Sequence, residues 1–221
     1  MWLERIETML PDLTKALAET ALMVGISLGF ALVVGIPLGI LLFITDRGLF
    51  FQNVFVRSIL DFFVNIVRSL PFIILLVALI PLTQLLLDNT IGPTAASVSL
   101  SVAAIPFLAR LVETSLREIP PGLIEAAEAC GATPFRIIIS ALLPEALPGI
   151  IQAVTLTTIS LIGFSAMAGI VGGGGVGDLA IRFGYYRYDN VVMIVTIVVL
   201  VIIVQSIQGL GNVLARRADK R

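Results

Sequence analysis

Apolar residues come in five long runs, 21–44, 69–87, 94–111, 147–170 and 191–211, with short polar stretches between them. Each approaches the roughly 20 residues that a helix needs to cross a hydrocarbon core. The pattern predicts an all-α membrane protein with five transmembrane helices, in a single domain over residues 1–221. Before the second run, Asn53, Arg57, Asp61 and Asn65 recur every four residues among Phe, Val, Ile and Leu. That is the period of a helix with one polar stripe. It predicts an amphipathic helix at the membrane surface that runs into the second span and bends at Pro71.

Residues 112–146 form the longest polar interruption. Pro120 and Pro121 stop what precedes them, because proline lacks an N–H and restricts its predecessor. Pro121 then suits the first position of a new helix. Residues 123–130 are good helix formers, and Gly131 is a natural C-terminal stop. Thr133 before Pro134 predicts a second helix through residue 142. The result is a helix–glycine–helix hairpin projecting into water.

Composition agrees with the spans: 58% of residues are hydrophobic and 13% charged, against about a quarter charged in soluble domains. With no His and Cys130 as the single cysteine, neither an intrachain disulfide nor a His/Cys metal site is possible. Glu4, Glu7, Asp12 and Glu19 precede or open the first run, which is too long for the core of a secretory signal. Five crossings place Arg47, Arg57, Arg68, Arg110, Arg117, Arg136, Arg216, Arg217, Lys220 and Arg221 on one side, and Arg5, Lys15, Arg182 and Arg187 on the other. Basic residues are enriched in cytoplasmic loops, so the hairpin and the C-terminus are expected in the cytosol and the N-terminus outside.

Inside the spans, Gly25 with Gly29 and Gly35 with Gly39 form two GxxxG pairs. These suit close packing within the bundle or, alternatively, a dimer face. No acid falls mid-span, unlike ion-coupled carriers, which keep an ionisable group on their path. Span four carries Gln152, Thr155, Thr158, Ser165 and Met167. It is the most polar candidate wall for a solute path, although such hydroxyls also bond their own preceding turn. Gly172, Gly173, Gly174, Gly175 and Gly177 with Asp178 lack the Lys-Ser/Thr ending of a phosphate-binding loop. Followed by Tyr185 and Tyr186, they read either as a flexible external connection or as a docking surface with aromatic anchors.

The spacing Glu125-Ala126-Ala127, three residues, Gly131, nine residues, then Ala141-Leu142-Leu143-Pro144 resembles the EAA loop of permease subunits of ATP-binding-cassette importers, with Ala141 where that family has Ile. The resemblance implies the type I importer permease fold and a loop that docks on a separate ATPase subunit. Arg117 and Arg136 then serve as partners for acids on the ATPase or as membrane-surface anchors. The stretches 68–75, 119–126, 143–149 and 165–167 are similar to the methionine-importer permeases. That similarity implies ATP-driven import of L- or D-methionine across the cell inner membrane. It also implies a homodimer paired with two ATPase subunits and an extracytoplasmic solute-binding protein. On this reading ATP and Mg belong to the ATPase, and the chain has no catalytic residue, metal, cofactor or nucleic-acid partner of its own. A permease for another amino acid, or for an osmolyte such as betaine, fits the same loop.

Overall fold

The computed structural model describes residues 2–219, with side chains from residue 8 onward. Described residues are helical almost throughout. The first helix, α1 (Trp2–Phe30), passes through a π-helical turn at Ala31–Gly35 into α2 (Ile36–Ile44). The widened turn sits just before Pro37, whose ring would crowd the carbonyl four residues back in a regular helix. The continuous segment Thr8–Ile44 has 37 residues, about 55 Å at 1.5 Å per residue. It therefore outreaches the expected span at its N-terminal side. There Met9 and Ala16 pack with Val176, Leu179 and Val192 in a small separate core.

The centre of the bundle is α6 (Pro93–Arg117), which buries Leu100, Ala104, Leu108, Ala109, Val112 and Leu116. α1 and α2 lie along one side of it and α9 (Leu143–Ile170) along another. Gly35 and Gly39 make the first approach possible: a Cβ at Gly35 would stand 2.9 Å from the Ile105 carbonyl, and one at Gly39 would be 2.8 Å from Val112 Cβ. Gly25 and Gly29 have open space instead. The last helix, α11 (Asn190–Ala218), packs on α9 and exposes Ile197, Val201, Ile202 and Leu214, a surface suited to lipid.

Among the described residues, four helices are long and apolar enough to cross a membrane, and a fifth crossing is available if one bent pair is counted. That pair is α3 (Val54–Ser69) and α4 (Phe72–Ala78), which meet at 106° across Leu70 and Pro71. α5 (Ile80–Leu87) continues to Asp88. The bend at Pro71 is where the sequence puts it. The setting of α3 is not. Arg57 reaches Glu113 of α6, Asn65 reaches Arg110, and Val67 and Arg68 share a cavity with Phe107 and Ala103. Moving forward along α3 therefore moves backward along α6. The helix runs beside α6 rather than lying across its end. Its polar stripe faces inward, and Phe55, Phe62, Phe63 and Ile66 face out. A polar stripe shows which side of a helix avoids lipid, and here a neighbouring helix takes the place of water.

The hairpin also differs from its expected form. α7 (Pro121–Ala129) and α8 (Pro134–Ile137) are both present. From α8, however, a π turn at Ile138–Leu142 leads directly into α9, so Pro134–Ile170 is one unbroken stretch of 37 residues. The Leu143 N–H reaches back to Ile138 O across this turn, and the widening accommodates Pro144 without a break. The expected interruption at 112–146 thus contracts to residues 118–133, which lie between α6 and α8 and contain α7.

Candidate functional site

The hairpin is anchored on one face and free on the other. Leu123, Ile124, Ala127 and Ala132 pack against the main core, while Glu125, Ala126, Glu128, Cys130 and Gly131 are exposed. Two hydrogen bonds close the helix end. The Gly131 N–H donates to Glu128 O at 2.8 Å and the Ala132 N–H to Ala127 O at 3.1 Å. This is the Schellman pattern, with Gly131 at φ +74° in the left-handed conformation that glycine adopts without penalty. Thr133 opens α8 through its extended backbone, and its hydroxyl makes no capping bond. Phe135, at 72%, and Arg136 are exposed on α8. Leu143 is partly buried against the core and Pro144 is exposed.

Behind the hairpin lies a charge network that sequence reasoning missed. Glu113, 1% exposed, accepts from Arg57 at 2.6 Å, from Arg110 at 2.7 Å and from Arg117 at 2.9 Å. Asp61 receives Arg57 at 2.7 Å and Arg110 at 2.8 Å, and Asp46 pairs with Arg117. Arg57 also donates to the carbonyl of Leu42. Three guanidiniums thus meet three carboxylates, a neutral set, which is the condition for burying charge at tolerable cost. The network ties the α2–α3 connection, α3 and the end of α6 into one piece immediately before the hairpin. Arg117, expected either to meet acids on an ATPase or to anchor at the membrane surface, is held by Glu113 and Asp46 of its own chain. The signal was present as two complementary stripes, Arg57-Asp61-Asn65 and Arg110-Glu113-Arg117, each at helical spacing.

At the opposite end the glycine run is packed, not a free connection. Gly173, Gly175, Val176 and Gly177 are buried, and Gly175 opens a short helix, α10 (Gly175–Leu179), wedged against α9 and α1. Glu19 accepts from the Gly175 N–H at 2.8 Å, and the Thr20 hydroxyl accepts from the Val176 N–H at 3.0 Å. Gly172 is exposed and hydrogen-bonded to Gly92. A cavity of about 430 Å³ opens here between Asp12, Lys15, Glu19, Asp178 and Arg182, with Asp178 and Arg182 paired. Tyr185, Tyr186 and Tyr188 are 61%, 67% and 86% exposed beyond it.

The candidate path residues of α9 do not share a face. Thr155 and Ser165 are buried and donate to Ile151 O and Ile162 O of their own helix. Thr155 lies against Gly211 of α11, and Thr158 donates to Val154 O. Gln152 and Met167 are exposed on another side, in line with Leu156 and Gly163. Gln152 also lines a cavity of about 350 Å³ with Thr114, Glu118, Gln208 and Asn212.

Comparison with known proteins gives a consistent set of likenesses. Residues 35–220 match the family described as "Binding-protein-dependent transport system inner membrane component". The chain is 50% identical over 211 residues to the Vibrio cholerae protein named "Probable D-methionine transport system permease protein MetI", covering 95% of this chain and 93% of that protein. It is 48% identical over 163 residues to the Escherichia coli K12 "D-methionine transport system permease protein MetI", covering 74% and 75%. A solved structure described as inward-facing conformations of the MetNI methionine ABC transporter superposes with TM-score 0.94 at 46% identity, covering 97% of this chain and 99% of that one. An amino acid ABC transporter solved with histidines shares the fold alone, with TM-score 0.81 at 16% identity.

Proposed function

We propose that this chain, which belongs to the family of inner-membrane components of binding-protein-dependent transport systems, is the methionine permease subunit of an ATP-driven importer. It is a transport component and not itself an enzyme. The observation that carries the methionine reading is the near full-length likeness to the Vibrio cholerae protein. Two copies of the chain enclose the path, and each presents its Glu125–Gly131 face to one of two ATPase subunits, which hold ATP and Mg. An extracytoplasmic solute-binding protein docks at the Tyr185–Tyr188 end and delivers methionine. The purified assembly in liposomes is expected to accumulate labelled methionine only with internal ATP and external binding protein. Accumulation of a different amino acid or osmolyte, but not of methionine, would overturn the substrate assignment and leave the permease role.

The charges at the two ends support one orientation. Asp46, Glu118, Glu145 and Asp219 gather at the hairpin end, where Arg47, Arg117, Arg136, Arg216 and Arg217 also lie. Asp12, Gly92 and Gly172 gather at the other. The basic excess puts the hairpin end in the cytosol. Reporter fusions after Arg221 and at Asp88 are expected to give cytoplasmic and external signals respectively. Signals from the same side would contradict this orientation.

A further inference from the structure

We propose that Arg68 and the aromatic cavity beside it form a carboxylate-binding station on the permeation path, one that admits amino acids with apolar side chains. The proposal rests on the permease reading above. In sequence, Arg68 borders the second apolar run and reads as a loop charge. The antiparallel course of α3 along α6 places it elsewhere. Arg68 lines a cavity of about 260 Å³ with Phe72 and Leu75 of α4, Ala103 and Phe107 of α6, and Phe164 of α9. Ala103 lies ten residues past Pro93 and fourteen before Arg117, about 15 and 21 Å from the two ends of α6 at 1.5 Å per residue. Arg68 therefore borders a cavity that lies beside the middle of α6.

The other arginines of α3 and α6 are accounted for. Arg57, Arg110 and Arg117 all meet carboxylates. Arg68 is exposed and has no ion pair or side-chain hydrogen bond to another described residue. A charge beside such a cavity and without a partner in its own chain is expensive, and such residues mark solute pathways. Arginine presents a planar fork that matches a carboxylate with two parallel hydrogen bonds. The rest of the cavity suits the other half of an apolar amino acid. Phe72 and Phe164 stack at 4.6 Å, and with Phe107 and Leu75 they offer the aromatic and aliphatic surface that a thioether or aliphatic side chain favours. At 260 Å³ the cavity is below the ~300 Å³ at which drug-sized ligand sites begin, which restricts it to small solutes.

The station also sits at a mechanical junction. Arg68 lies in the last turn of α3, two residues before the 106° break into α4. α3 is fastened through Glu113 to the end of α6 that leads into the hairpin. A movement of the hairpin that shifts α3 would therefore move the guanidinium relative to the Phe72 and Phe164 rings.

The test uses the whole complex of permease, ATPase and binding protein in liposomes. Uptake of methionine by the parent tests the permease reading. The Arg68 variants, each compared with the parent, test the station. Arg68→Met is expected to lower uptake by roughly 10- to 100-fold, the range of a lost charge-assisted hydrogen-bond pair. The complex should still assemble, and loaded binding protein should still stimulate ATP hydrolysis. Arg68→Lys is expected to fall between variant and parent. A second readout does not depend on the substrate. Arg68→Cys is expected to react with a water-soluble anionic thiosulfonate, beyond the labelling of Cys130 seen in the parent, far faster than Phe62→Cys on the outer face of α3. Parental uptake by Arg68→Met overturns the proposal. So does labelling of Arg68→Cys no faster than that of Phe62→Cys. If the parent fails to move methionine, the methionine reading falls and the labelling rates alone decide whether Arg68 faces an aqueous path.

Discussion

A Gly177→Val variant is expected to leave almost no folded protein in the membrane. A Cβ at residue 177 would lie 2.6 Å from the Ala166 carbonyl oxygen and closer still to its Cα. Both are backbone atoms of α9, and no rotamer change can yield. Gly169, on the facing surface, has the same intolerance toward residues 177 and 178, so neither side can retreat. Forcing the two apart expels α10. It thereby uncovers Val176 and Leu179 from their contacts with Met9, Ala16 and Val192 and strands the N–H groups now met by Glu19 and Thr20. Overpacking of this kind costs about 3 kcal/mol or more where nothing can give, against a total stability of roughly 5–15 kcal/mol. Membrane abundance and size-exclusion behaviour after detergent extraction would measure it. A monodisperse variant at parental levels would mean that α10 does not pack as described.

Loss of the Glu113 charge ranks second in expected effect. Glu113→Gln leaves three guanidiniums facing only Asp46 and Asp61. Breaking a buried ion pair by removing one partner costs about 3–5 kcal/mol, which lowers the unfolding midpoint by on the order of 10 °C in a chain of this size. The buried, unpartnered Nε of Arg110 indicates that the network has no spare acceptor to compensate. Thermal unfolding of the detergent-solubilised protein would show the shift. Adding Arg57→Gln to Glu113→Gln is expected to cost less than the two single losses combined, as for groups in direct contact. A midpoint within a degree of the parent would show that the network contributes nothing. Acid should not release the Asp46–Arg117 pair near neutrality. Burial pushes the Asp46 carboxyl up, but hydrogen bonds from the Arg47 N–H and the Arg117 guanidinium outweigh this and hold it below the ordinary 3.8. Its contribution is therefore complete above that value and is lost only as pH falls through the lower folded one.

The spans and the hairpin were legible because lipid and water impose the plainest patterns a chain can carry. The five apolar runs locate the four long helices and the α4–α5 segment, and Pro121, Gly131 and Pro134 mark the hairpin in register. What escaped depends on pairing between distant elements. Arg57, Asp61 and Asn65 looked like residues seeking water. Only the antiparallel fit of α3 on α6 shows that they seek Arg110 and Glu113 instead. Of the two readings of the glycine run, the flexible connection fails for a related reason. Consecutive glycines signal either freedom or close approach, and the choice here lies with Ala166, Glu19 and Thr20, far away in sequence. Pro37 and Pro144 each follow a π turn that lets the helix continue through them. The hydroxyls of Thr155, Thr158 and Ser165 marked a candidate wall, but each bonds its own helix, which one-dimensional spacing cannot distinguish from a path.

The Glu125–Gly131 hairpin is proposed to transmit the ATPase cycle to the spans. Gly131→Val tests it most directly, because a Cβ there meets nothing within 4 Å and the substitution acts only through the φ of +74°. The strain is about 1 kcal/mol or more, too little to unfold the bundle but enough to redirect α7 from its Schellman end. The measurement is methionine uptake, together with ATP hydrolysis stimulated by loaded binding protein, by the purified complex in liposomes. The expected result is normal membrane abundance, with uptake lost and hydrolysis no longer responsive to the binding protein. A Gly131→Val complex that transports and couples like the parent would contradict the claim.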